Sequence, residues 1–504
     1  MPDMVGLGAL SVLDVTLAAL GVALVSLILS GKRKGPLPPG PKGWPIIGNV
    51  LDMPSSYQWK TYTQWAEKWG DIISVTLLGQ PIVVVSSLEH ATELLERRST
   101  LYSDRPILTV GGKIVGWDQI VVLTPYGPRF REARRLLSRW IGSRSSVARF
   151  APMLQHETSK YLLDLRRSPE QFVNHIKKSA AAIILTMTYG YQIKGDKDPL
   201  IEIVDRAMAQ FTVLTTPGTF LADIFPSLEH VPSWVPGTGW KQRALGARQD
   251  TDAMLDVPYS IVEKEMAAGT ATPSFLSVNI EGNPDPTEEF QSTLKTTAGV
   301  LYAGGSDTTV STLHSFFLAM ACYPEIQKKA QQEIDAVIGN DRLPTLADQD
   351  SLPYVNAVCA ELHRWNPVAP LGVTHRLVQD DVYAGYFFPK GTLITVNAWK
   401  ILHDPETYKN PLDFNPGRFM GTEPETDPRP VAFGFGRRIC PGLNFADASI
   451  FLSCAMMLAV FDVSKAVEYG RVIEPVVEYT SGQIRISKPS GPVQVFDQAP
   501  VCEG

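Results

Sequence analysis

Five cysteines in 504 residues are few, and their placement matters more than their number. Cys322, Cys359, Cys440, Cys454 and Cys502 are odd in count, lie towards the C-terminal end and never fall at C-x-x-C spacing, which argues against a disulfide framework. Charged residues are only 19% of the chain, the net charge is -6, and the basic residues are scattered, so no nucleic-acid partner is expected. No stretch carries a dinucleotide fingerprint or a phosphate loop, so the chain has no evident site of its own for a nicotinamide cofactor. Internal repeats are absent, and low-complexity tracts are absent after residue 48.

What is present is a large apolar content, 44%, enough to bury a sizeable core and a bulky ligand. Length alone would suggest two to four domains of roughly 100–200 residues, but one contiguous body is the simplest reading. Val5 to Ser30 is almost wholly apolar, with Asp14 its single charge, and Lys32, Arg33 and Lys34 follow at once. About 20 such residues span a bilayer. No basic residue precedes the run, so an uncleaved anchor fits better than a cleaved signal, and the basic triplet places the body on the cytosolic face. Residues 1–34 thus read as a membrane anchor with its basic flank, 35–48 as a proline-rich hinge, and 49–504 as the globular body.

Ile72 to Leu78 and Pro81 to Ser86 predict a hairpin, and Val493 to Phe496 a further strand. Helical patterns dominate elsewhere. Asp285-Pro286-Thr287-Glu288 predicts a helix start with Asp285 at the cap, and the helix runs to Cys322, before Tyr323-Pro324. Gly304-Gly305 at its middle cost about 2 kcal/mol against alanine, so they need a reason such as a kink or a ligand's approach.

Phe433 to Gly442 reads F-G-F-G-R-R-I-C-P-G, a glycine-rich loop delivering one cysteine just before the apolar run Leu443 to Phe461. A thiol at a helix start meets backbone N–H groups and the positive end of the dipole, which favours the thiolate and suits an iron ligand. A buried structural cysteine is the other reading that local physics leaves open.

The ten residues match F-x-x-G-x-R-x-C-x-G at Phe433, Gly436, Arg438, Cys440 and Gly442, and so resemble the haem-binding signature of the cytochrome P-450 superfamily. Glu361-Leu362-His363-Arg364 resembles its E-x-x-R helix, Pro416-Gly417-Arg418-Phe419 its P-x-R-F element, and Gly304 to Thr309 its oxygen-activation motif. The resemblance implies a mainly α fold: a large helical haem domain with a small β-rich subdomain, preceded by an N-terminal transmembrane helix. It implies non-covalent haem b with Cys440 as axial thiolate. Ala303 and Gly304 then face the haem, and Asp307 and Thr308 deliver protons through a widened turn that lets the Thr308 hydroxyl meet water. Glu361, Arg364 and Arg418 form a structural lock on the loop preceding the cysteine. Arg134, Arg438 and His375 are candidate partners of the haem propionates. Phe130 occupies the position of the family's tryptophan and cannot donate an indole N–H.

The implied reaction inserts one atom of dioxygen into an apolar small molecule, by hydroxylation or epoxidation. Electrons come from an NADPH-dependent cytochrome P-450 reductase, with cytochrome b5 as an additional donor, at the endoplasmic reticulum membrane. Arginines 129, 131, 134, 135 and 139 suggest a basic docking face for the reductase. By family position, residues 105–120, 211–225, 303–304, 368–373 and 480–484 line the pocket. The stretch from Asp223 to Gly237 resembles fungal members that oxidise terpenoids, polyketides or indole amines in secondary metabolism. Two alternatives stand beside this: a haem-thiolate isomerase or dehydratase needing no reductase, whose known relatives usually lack the threonine found at 308, and a haem-binding sensor without turnover.

Overall fold

Apolar side chains recurring every three or four residues dominate positions 128 to 458, and there the chain is mostly helical. The computed structural model describes residues 35–195, 197–216, 218–475 and 493–497, with Gly21 and Thr480. The expected anchor, apart from Gly21, lies outside the described residues. Among the described residues no helix is long and apolar enough to cross a membrane.

The scaffold is organised by a central helix, Glu288–Cys322, 35 residues long. Its cap is Thr287, not Asp285: Thr287 is extended, and its hydroxyl accepts the Phe290 N–H at 3.2 Å. It stops at Cys322 because Pro324 disfavours helical backbone at Tyr323, which sits at φ -129 and ψ 67. From Val310 to Ala321 it is buried all round; Phe316 and Phe317 are fully buried, and each such ring contributes roughly 1.5–3 kcal/mol. This helix packs against Phe172–Tyr189 and against the cysteine helix, Leu443–Leu458, which also meets Pro353–Trp365. The apolar run expected to reach Phe461 ends as helix at Leu458, and Phe461–Lys465 is a strand paired antiparallel with Val493–Asp497.

The expected hairpin is present as Ile72–Leu77 and Gln80–Val85, paired Ile72 to Val85. It continues into a four-stranded sheet: Leu393–Val396 runs parallel to the second strand, and the short edge strand His375–Arg376 pairs antiparallel with it. An added bridge between Arg376 and Asp104 draws the segment around Arg105 to the same edge. The proline-rich stretch is tied to this sheet. Pro38 and Pro39 carbonyls accept from the Ser74 hydroxyl (2.6 Å) and N–H (2.9 Å), and Pro36 accepts from Phe387 N–H (2.8 Å).

Candidate active site: a cysteine opening on an internal cavity

The loop from Phe433 to Gly442 closes on itself, with Cys440 N–H donating to the Phe433 carbonyl at 2.8 Å. Gly436 sits at φ +54, and a Cβ there would lie 2.1 Å from the Leu95 carbonyl oxygen, so only glycine fits. The single turn Gly436–Arg438 sends Arg438 inward. Its guanidinium donates to the carbonyls of Ser103 (2.8 Å), Val121 (3.1 Å) and Thr124 (2.7 Å) and lies 3.8 Å from the Phe130 ring centroid. Phe130 therefore gives the cation an aromatic face where tryptophan would give a donor.

Burial pushes the Cys440 thiol up, while the N–H groups of Gly442 and Leu443 and the Arg134 guanidinium favour its thiolate. Arg134 is anchored by a 2.6 Å bond to the Ile439 carbonyl. Cys440 lies deep in the protein, yet its surface is exposed, because it opens on an internal cavity of about 390 Å³.

The cavity wall brings together Phe433, Arg438, Cys440 and Gly442 from the loop, Arg134, His375, and Ala303, Gly304 and Thr308 from the central helix. Gly436, Asp307, Glu361, Arg364 and Arg418 do not line it. Arg105, buried at 4% exposure, does, and its cationic place there had no local signature beyond a charge before the apolar run from Pro106. His375 is held neutral by burial and by neighbouring Arg105 and Arg438, against the opposing effect of its bond to Tyr102. Its Nδ1 donates to the Tyr102 carbonyl at 2.7 Å, so Nε2 remains an acceptor. These residues fit the group that the motif implies: one soft sulfur donor, apolar walls, and a cluster of cationic and hydrogen-bonding side chains where buried carboxylates need partners.

The central helix runs unbroken through the paired glycines, with no widened turn assigned. Thr308 Oγ1 donates to the Gly304 carbonyl at 2.7 Å, so the helix itself takes the hydroxyl proton that water was expected to meet. The two glycines have different reasons. A Cβ at Gly304 would meet nothing within 4 Å, whereas one at Gly305 would lie 2.5 Å from Ile184 Cδ1. Gly304→Ala is thus expected to fold normally and narrow the cavity. Gly305→Ala is expected to cost about 1–3 kcal/mol by overpacking, and Ile184→Ala in the same chain to restore part of that; equal melting temperatures for the two single variants would contradict this. Asp307 faces away from the cavity, where burial and the nearby Asp205 carboxylate raise its pKa and Lys177 opposes them.

Glu361 and Arg364 are fully buried. Arg364 grips the carboxylate with Nε at 2.7 Å and Nη2 at 2.9 Å, and Arg418 Nε adds a contact at 3.1 Å. Arg364 also donates to the carbonyls of Leu402, Pro411 and Asp413. The network therefore pins the segment 402–418, well upstream of the cysteine loop itself.

The arginine series splits: Arg131, Arg135 and Arg139 are exposed on one side of the helix Pro128–Ile141, whereas Arg129 and Arg134 turn inward. Arg129 reaches Ser292 and Thr296 on the central helix, Arg134 turns to Ile439, and Arg135 pairs with Glu132. A helix places residues 129 and 134 on inward-facing sides that five arginines in a row do not announce.

Of residues 105–120, Arg105, Trp117 and Ile120 reach the cavity, and of 211–225 only Phe211 does. Ile184 and Met187, from Phe172–Tyr189, and Met208, from the helix that carries Phe211, add to the wall without any motif to mark them. Apart from Thr480, positions 480–484 lie outside the described residues. Asp223 lines a separate cavity of about 220 Å³, and its Oδ1 accepts the Val110 N–H at 3.0 Å. Burial pushes the Asp223 carboxyl up to about 6, against the N–H groups of Val110 and Thr109. A raised folded pKa means stability present below the unfolded value, roughly 3.9, and lost as pH rises through 6. Asp223→Asn keeps an acceptor and removes the charge, so its melting temperature should exceed the parent's at pH 8, with the difference closing towards pH 4; a constant difference would refute it.

The sequence matches the cytochrome P-450 family model over residues 38–475. Cytochrome P-450 monooxygenase 208 of Postia placenta is 54% identical over 483 residues, 95% of this chain and 94% of its own. Cytochrome P-450 monooxygenase claR of Ampulloclitocybe clavipes is 43% identical over 94% of this chain and 90% of its own. Cytochrome P-450 monooxygenase ple1 of Rhodocybe pseudopiperita is 40% identical over 91% and 88%.

Proposed function

Since this chain belongs to the cytochrome P-450 family and is a haem-dependent monooxygenase, we propose that Cys440 is the thiolate ligand of its haem b and that its substrate is an apolar small molecule. The observation that carries the reading is a lone thiol, backed by N–H donors, opening on a mostly apolar cavity walled by the central helix. When bound, the haem supplies the iron centre at which dioxygen is activated.

The chain's own residues have distinct tasks in this reading. Gly442 and Leu443 N–H groups and Arg134 hold negative charge on Cys440 Sγ. Arg105, Arg438 and His375, on the cavity wall, would hold the propionates. Thr308 Oγ1 would pass a proton into the cavity by exchanging its bond to the Gly304 carbonyl for one to a water there. Asp307, on the outer side of the same turn, resupplies that proton through its carboxyl group, and its raised pKa suits a group that must carry one. The apolar wall keeps other water away from the reacting carbon. The reaction balances as substrate C–H, O2, NADPH and a proton giving alcohol, water and NADP+.

Electrons are supplied in this reading by an NADPH-dependent cytochrome P-450 reductase, with cytochrome b5 as an additional donor. The apolar residues 5–30 anchor the enzyme in the endoplasmic reticulum membrane, with the catalytic body cytosolic. Fungal relatives and the apolar wall favour terpenoid, polyketide or indole-type substrates of secondary metabolism.

The test is reductase-dependent consumption of NADPH and oxygen with a panel of such substrates. Conversion that proceeds equally without reductase and oxygen would refute the reading in favour of an isomerase or dehydratase. In Thr308→Val, NADPH oxidation should persist while product formed per NADPH falls about tenfold or more, and Thr308→Ser should restore most of it. An unchanged product yield in the valine variant would remove Thr308 from the proton route.

A further inference from the structure

One polar group on the cavity wall does not match the partner assigned to it. His375 Nδ1 lies 2.7 Å from the Tyr102 carbonyl oxygen, which can only accept, so the ring proton sits on Nδ1. Nε2 makes no hydrogen bond within the protein and opens on the cavity. The neutral ring therefore presents a lone pair there, and a propionate carboxylate likewise presents only acceptors. Arg105 and Arg438 stand differently, because each donates to three backbone carbonyls and still keeps N–H groups to spare.

The ring cannot turn over to remove the mismatch. A flipped imidazole would set a carbon against the Tyr102 carbonyl, and Tyr102 is itself fixed, fully buried with its hydroxyl donating to Asp381 at 2.7 Å. His375 is held in turn by the pairing of His375–Arg376 with Leu393–Val396. The protein's own groups keep the ring neutral: burial and the Arg105 and Arg438 guanidinium groups push its pKa well below the ordinary value, against the Tyr102 bond. The carboxylate of the adjoining segment, Asp104, is already engaged by Arg376 at 3.3 Å and by the Tyr126 N–H at 2.9 Å. The paired strand Leu393–Val396 brings no charged side chain. A carboxylate arriving at Nε2 reverses this balance, since an opposite charge within hydrogen-bond reach favours the imidazolium, and a second N–H then meets it.

We propose that haem binding carries one proton into the cavity and that His375 takes it up, its imidazolium donating from Nδ1 to the Tyr102 carbonyl and from Nε2 to a propionate. This deepens the haem-thiolate reading and rests on it. The sign follows from linkage. The haem-loaded protein holds one proton more than the haem-free protein, so haem is retained below the loaded-state pKa of the ring and released as pH rises through it. Pairing with a carboxylate places that pKa above the ordinary histidine value of about 6.5.

The experiment follows haem loss from the haem-loaded full chain to excess apomyoglobin between about pH 7 and pH 9, a window that brackets a raised histidine. The parent's rate should rise roughly tenfold or more across it, with a limiting slope of about tenfold per pH unit for a single proton. His375→Gln, which keeps a side-chain hydrogen bond but does not titrate, should lose haem at a rate that hardly changes with pH. A flat profile in the parent overturns the inference. So does a slope that persists in the glutamine variant, which would assign the titration to another group such as Arg438, whose pKa burial lowers to about 10. Infrared spectra of the parent with haem isotope-labelled at its propionate carboxyls need no variant: carboxylate bands alone are expected, and a carboxylic-acid band would put the proton on the haem and remove it from His375. The reduced, carbon-monoxide-bound spectrum, taken on the same samples, keeps two failures apart. A thiolate-type band with pH-independent haem loss sinks only the proton at His375, whereas absence of that band in the parent sinks the haem-thiolate reading itself.

Discussion

Cys440→Ser is expected to abolish the thiolate-type Soret band of the reduced, carbon-monoxide-bound protein and to lower turnover by on the order of a hundredfold or more. The bound is set by what loss of a ligand's supporting hydrogen bonds alone costs a metal site, about 10–100-fold. Serine is nearly the size of cysteine, and the side chain faces the cavity more than it packs against neighbours. The fold should therefore survive, with far-ultraviolet circular dichroism unchanged, and that separates ligand loss from unfolding. The N–H groups of Gly442 and Leu443 stay in place but face a hydroxyl, a far weaker acid than a thiol and a harder donor to iron. A serine variant that still gave the parent band would remove the sulfur of residue 440 from the site, and the assigned chemistry with it.

Glu361→Ala should have the largest effect on stability, about 3–5 kcal/mol, enough to leave little soluble haem-loaded protein. The carboxylate is the one anion gripped by both Arg364 and Arg418, and it also accepts the Asn415 N–H at 2.7 Å. Deleting it leaves a fully buried guanidinium without its counter-charge, and the desolvation already suffered by that cation is no longer offset. The control is Arg144→Ala, whose partner Asp350 lies 3.5 Å away with both side chains largely exposed. Solvent screening there limits the change to well under 1 kcal/mol. Urea midpoints for the two variants that differed little from each other would contradict the claim that burial sets the value of these pairs.

How legible the molecule was depends on the range of the interaction concerned. The hairpin at 72–85, the stop of the central helix before Pro324 and the strand at 493 are encoded within a few residues, by β-branched runs and proline geometry, and they appear where expected. The helix cap shifted by two residues because two acceptors, Asp285 and Thr287, compete and only backbone geometry chooses between them. The glycine pair shows the limit well. Sequence explains neither residue separately, since one glycine answers to the cavity and the other to Ile184, more than a hundred positions away. The five arginines divide for the same reason: three stay exposed on one side of the helix and two turn inward, and a run of like charge says nothing about which.

By itself the sequence determined the chemistry at hand: one cysteine in a glycine-rich loop before a helix, an acid and an arginine three residues apart, and a threonine beside an aspartate. Those features are local, and their residue types alone limit what they can do. Only the tertiary structure decided which groups share a cavity and which polar atoms there are already satisfied. Such facts arise where segments distant along the chain converge, and whether a hydrogen bond is made or missing there depends on partners that no spacing within one segment reports.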